Sequence, residues 1–146
     1  MDNGFNFAEI LGIQFRIHYS WVFIYFLITV FLALQVFPGA VPKETDVTFW
    51  VMGAVTALLF FLSVLLHEAA HAMVGQNNGI PVKSITLFLF GGAAHMTREP
   101  QTAAAELKMA LAGPMTSLVL AGAFYGIYNY FLGNANALAA TALWLS

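Results

Sequence analysis

The chain of 146 residues contains no cysteine, which excludes disulfides and thiolate-held metals. Charge is nearly as scarce. Asp, Glu, Lys and Arg make up 8% of the residues, against roughly 25% in soluble domains, too few to cover a water-facing surface. The net charge of −2 carries no message about nucleic acid, no basic cluster suggests one, and no nucleic-acid partner is expected. The first twenty residues lack a basic leader and a small-residue cleavage site behind a short apolar core, so they read as mature protein.

What is abundant is apolar. Hydrophobic residues make up 60% of the chain and mean hydropathy is +0.79, so the sequence reads as an integral membrane protein with the lipid bilayer as its partner. A first span is expected from Tyr19 to Phe37, with Tyr19 and Trp21 in the aromatic-belt position and Pro38-Gly39 and Pro42 breaking it. A second is expected from Phe49-Trp50 to about Gly75, stopped by residues 76–79 and Pro81. Val82–Phe90 alternates like a strand, with Gly91-Gly92 expected as a two-residue turn into Ala93–Met96. A third span is expected from Thr102 to Leu132, kinked at Gly113-Pro114. Small residues recur at every fourth position (Gly113, Ser117, Ala121, and again Gly122, Gly126) and are expected to pack helices within the domain rather than to dimerise it. A fourth apolar segment begins near Ala135 and reaches Ser146, too short to cross. The predicted fold is an α-helical multi-pass membrane protein: three full transmembrane helices, the start of a fourth, and a small β-hairpin between helices two and three. Residues 1–146 are expected to form a single core domain, incomplete at its C-terminal end.

Chemistry concentrates at His67-Glu68-Ala69-Ala70-His71, which closes the uncharged run Phe49–Leu66. Ionisable groups inside a span are expensive and mark function. Positions i and i+4 share one helix face, so His67 and His71 can aim imidazole nitrogens at one ion. Glu68 stands about 100° round the helix, placed to reach a water on that ion without displacing it. Two histidine ligands for Zn2+ and a glutamate general base form the HExxH arrangement of zinc metalloproteases. A shuffled chain of this composition would contain the pattern in about 0.4% of cases. From Trp50, His67 lies ~25 Å along the helix axis, inside a hydrocarbon core ~30 Å thick but near its far face. Arg16, Lys83, Arg98 and Lys108 lie on one side of the expected topology and Lys43 on the other, which predicts the N-terminus and the active-site end toward the cytoplasm, in the cell membrane. A hairpin at membrane depth must pack on protein or line an aqueous cavity, and its edge can hold an extended peptide by strand addition.

These motifs resemble the site-2 protease family of intramembrane zinc metalloproteases. The likeness runs over nearly the whole chain: GIQFRIHYSW before the first span, HEAAH in the second, GIPVKSITLFLFGGAAHM after it, and ALAGPMTSL in the third. It implies regulated cleavage of transmembrane protein substrates within or near the bilayer, with Glu68 as general base on zinc-bound water. It also implies zinc held by the two motif histidines and a downstream aspartate. Here the sequence departs from the family. The aspartate belongs to an Asn/Pro-rich segment ending in Asp-Gly, which this sequence lacks, and its only aspartates are Asp2 and Asp46. Position 69 is alanine where the family usually carries a larger apolar residue. The chain is therefore expected to be an N-terminal portion of such a protease, supplying two of three ligands. His95 is weighed as a substitute ligand against a hairpin hydrogen-bonding role, which is favoured, and His18 is expected to be structural. The competing functions are a membrane metal transporter or sensor using the same histidines, and a catalytically inactive family member acting as a binding protein.

Overall fold

The computed structural model describes residues 4–10, 12–89, 91–96, 98 and 102–131. The fourth apolar segment, from Ala135, lies outside the described residues. Three helices are long and apolar enough to cross a membrane: α1 (Ser20–Ala40), α2 (Asp46–Asn77) and α3 (Ala103–Phe131). Four strands accompany them: β1 (Gly4–Ile10), β2 (Ile13–His18), β3 (Val82–Phe88) and β4 (Gly91–Met96).

The helix ends follow local chemistry. Thr45 opens α2, its hydroxyl accepting the Thr48 amide at 3.3 Å, with Asp46 in the first turn against the positive end of the helix dipole. Gly79, at φ +78°, closes the same helix, and the Ile80 amide folds back onto the Gly75 carbonyl at 3.0 Å. Thr102 opens α3 by accepting the Ala105 amide at 3.2 Å. The first helix corrects an expectation. It runs through Pro38 to Ala40 because residues Leu32–Val36 widen into a π turn, and Pro38 falls at the start of the last turn, where a missing amide proton is tolerated.

The sheet corrects a second. The strands run in the order β1-β2-β3-β4, antiparallel, parallel, antiparallel, so the β3–β4 pair is half of a four-stranded sheet completed by the N-terminal segment. The signal was present. Ile13-Gln14-Phe15-Arg16-Ile17-His18 alternates apolar and polar, the mark of a half-buried strand. The β3–β4 turn also differs. Phe88 pairs with Gly91, so the turn falls between those two residues, and Gly91 at φ +125° and Gly92 belong to β4.

The chain divides into two compact units, residues up to Phe23 with Leu62–Ser117, and Ile24–Phe61 with the chain from Leu118. In the first, Ile13, Phe15, Val82 and Ile85 from the sheet bury against Leu65, Ala69 and Ala72 of α2. Those three helical positions follow i, i+4, i+7 spacing and form one face. In the second, Leu32, Ala33, Phe37, Phe49, Met52 and Ala57 form the core.

Candidate metal centre

The HEAAH segment lies in the half of α2 that belongs to the first unit, and it uses three directions around the helix. Leu65, Ala69 and Ala72 face the sheet. The small side chain at position 69 lets the sheet come close. His67 and His71 point elsewhere, toward α3, and Glu68 lies between the two faces, as the 100° step requires.

Both imidazoles are held from behind. The His71 Nδ1 lies 2.6 Å from the Met109 carbonyl, and the His67 Nδ1 lies 2.8 Å from the Ser117 hydroxyl. A carbonyl only accepts, so His71 carries its proton on Nδ1 and a neutral ring leaves Nε2 as a bare lone pair. The two Nε2 atoms converge to 3.1 Å, with the ring planes at 74°. A lone pair on His71 Nε2 at that distance from His67 Nε2 is favourable only with a proton or a cation between them. Two nitrogen ligands at ~2.0–2.1 Å on a tetrahedral zinc stand about 3.3 Å apart, so the pair fits the ion with a small adjustment. The Nδ1 contacts are of the kind that orient metal-ligating histidines.

Two glycines adjoin the same groups. A Cβ added at Gly92 of β4 would collide with the Glu68 Cγ and stand 3.1 Å from its Cδ, so the bare β4 backbone lies against the Glu68 side chain. A Cβ at Gly113 of α3 would collide with the Nε2 of His71. The sequence suggested Gly113 as a helix kink and, with Ser117, as helix packing, and Gly92 as a turn. Their contact with the centre is a tertiary fact, although the four-residue spacing of Gly113 and Ser117, equal to that of the histidines, was a usable hint.

The other candidates stand apart. His95 is exposed on β4, opposite Ser84, and among the described residues no group of three or more His, Cys, Asp or Glu comes together. His18 is structural. Its Nδ1 accepts from the Ser20 amide at 3.2 Å and meets the Ser20 hydroxyl at 2.8 Å, and that hydroxyl accepts the Leu89 amide at 3.1 Å, which ties β2 and the start of α1 to the end of β3. Asp46 opens α2, far along the helix from His71, and Asp2 lies outside the described residues.

Three long apolar helices, one of them carrying a histidine pair with an adjacent glutamate, mark an integral membrane protein whose motif is similar to that of metallopeptidases, and comparison with known proteins agrees. The profile of Peptidase family M50 matches residues 55–143. The chain is 41% identical over 120 residues, 82% of its length, to “Putative zinc metalloprotease sll0528” of Synechocystis, and 38% identical over 124 residues, 85% of its length, to “Putative zinc metalloprotease Rip3” of Mycobacterium tuberculosis. Each match covers 31% of the relative, so the chain spans about a third of the length of the curated relatives it matches. The fold is similar to that of the site-2 protease from Methanocaldococcus jannaschii, with TM-score 0.67 and 24% identity, over 97% of this chain and 60% of that one. The chain belongs to Peptidase family M50, the site-2 protease family.

Proposed function

We propose that the intact protein is an intramembrane zinc metalloprotease that hydrolyses peptide bonds of transmembrane proteins within or near the bilayer, in regulated intramembrane proteolysis. The observation that carries this reading is the convergence of the His67 and His71 Nε2 atoms at 3.1 Å, each ring oriented through its Nδ1, with Glu68 on the same helical turn. His67 and His71 would hold the zinc, with a third protein ligand supplied from beyond the described residues. When bound, zinc acts as a Lewis acid that makes water acidic and polarises a carbonyl. Glu68 takes the proton from the attacking water at its carboxylate and returns it to the leaving amine. The outer edge of β4 would hold the substrate extended by strand addition, since β4 is an edge strand whose Gly92 lies against Glu68.

In detergent-purified full-length protein, His67→Ala or His71→Ala should sharply reduce zinc content, while Glu68→Gln should retain zinc and abolish cleavage of a model transmembrane substrate. Proteolysis by the Glu68→Gln variant would overturn the general-base assignment.

The basic residues support a cell-membrane protein with its N-terminus and active-site end toward the cytoplasm. Single cysteines at Thr45 and Asn78 should then label from opposite sides, with Asn78 cytoplasmic. Equal labelling of both from outside intact cells would show that the span count or the orientation is wrong.

A further inference from the structure

Met109, Gly113 and Ser117 follow one another at four-residue spacing and form one ridge of α3. Its two ends hold the imidazoles, the Met109 carbonyl taking the His71 Nδ1 proton at 2.6 Å and the Ser117 hydroxyl meeting the His67 Nδ1 at 2.8 Å. Its middle carries no side chain. Gly113 is buried, and a Cβ there would overlap the His71 Nε2, stand 2.5 Å from the His67 Nε2 and 2.6 Å from the His71 Cε1. Ordinary contacts need about an ångström more.

Neither side can give way freely. The rings cannot retreat without stretching their bonds to Met109 and Ser117, and α3 cannot retreat without carrying both acceptors with it. Nor does backbone conformation explain the glycine. Its φ is not among the positive ones, and a mid-helix glycine is less stable than alanine. Room is the remaining reason.

We propose that Gly113 is a positioning residue for the metal centre, its missing side chain allowing the His67 and His71 Nε2 atoms to converge between the Met109 and Ser117 anchors. This rests on the reading of the histidine pair as a zinc site. The test measures the zinc dissociation constant of the detergent-solubilised full-length protein by competition with a chromophoric chelator, and the visible absorption of its cobalt(II) form. Gly113→Ala should weaken zinc roughly tenfold to hundredfold, the range for residues that orient ligands, and should alter the cobalt bands. Gly122→Ala, in the same helix with open space around an added Cβ, should change neither. Wild-type affinity with an unaltered cobalt spectrum in Gly113→Ala, or an equal loss in Gly122→Ala, would overturn the proposal. Should Gly113→Ala fail to fold, NMR on the wild type decides. Contacts between the Gly113 Hα protons and the imidazole Hε1 protons are expected, and their absence overturns the proposal. None of these readouts involves proteolysis. A wild type that binds zinc through both histidines yet cleaves nothing overturns the protease reading alone, whereas one that binds neither metal removes the zinc site and this proposal together.

Discussion

In the unit containing Asp46–Phe61, a glycine of α2 serves shape. A Cβ at Gly53 would stand 2.8 Å from the Thr29 carbonyl and 3.4 Å from the Ala33 Cβ, so its absence lets two helix backbones approach. The neighbouring contacts are apolar, and the Thr29 and Thr56 hydroxyls are buried with no hydrogen-bond partner among the described residues. In the unit containing Leu62–Ser117, glycines make room for polar side chains. Gly92 makes room for Glu68, Gly113 makes room for two imidazoles, and both imidazoles are hydrogen-bonded at Nδ1. Helices associate in lipid by close packing in the first case. In the second, directional bonds position polar groups that would be costly if left unpaired. One helix contributes to both units, so changes along it should separate function from stability.

The largest effect is expected at Gly92. Gly92→Ala pushes the Glu68 side chain aside, and on the proposed mechanism, in which Glu68 is the base, a displacement of about an ångström costs on the order of 100-fold. The turnover number should fall by that order while zinc stoichiometry stays at the wild-type value. Loss of zinc along with activity would erase the distinction between Gly92, which adjoins Glu68, and Gly113, which adjoins the two histidines.

Gly53→Leu should act in the opposite way. Overpacking typically costs about 1–3 kcal/mol, so unfolding in mixed micelles should shift by that amount while zinc affinity holds. Weakened zinc binding in this variant would mean that the two kinds of contact are coupled.

The smallest effect is expected at Thr56. Replacing a buried, unpartnered hydroxyl by a methyl of similar shape removes a desolvation cost, so Thr56→Val should lie between neutral and about 1 kcal/mol more stable. Destabilisation of about 2 kcal/mol in the same unfolding measurement would reveal a partner for that hydroxyl.

Particular residues show how far the sequence could be read. His67, Glu68 and His71 were legible because helical spacing turns an i, i+4 pair into a common face whatever surrounds it. The three long apolar helices were legible because length and hydropathy are local. The N-terminal hairpin was missed although Ile13–His18 alternates, because those residues precede the first apolar run directly and read as its approach. Their partner strand, β3, lies beyond two helices in sequence and pairs with β2 in parallel. The extension of α1 past Pro38 was missed because a π turn leaves no pattern in composition.

By itself the sequence determined an apolar, membrane-type chain, since so little charge cannot cover a surface in water, and that His67 and His71 share one helix face with Glu68 beside them, since that spacing is a property of the helix. The tertiary structure alone decided what surrounds them. Which ring nitrogen carries the proton on His71 depends on a carbonyl 38 residues away in the chain, at Met109. Why positions 92 and 113 carry no side chain depends on β4 and α3 approaching α2 closely enough for a single methyl group to collide with Glu68 or His71, a steric condition set between elements and absent from any local pattern.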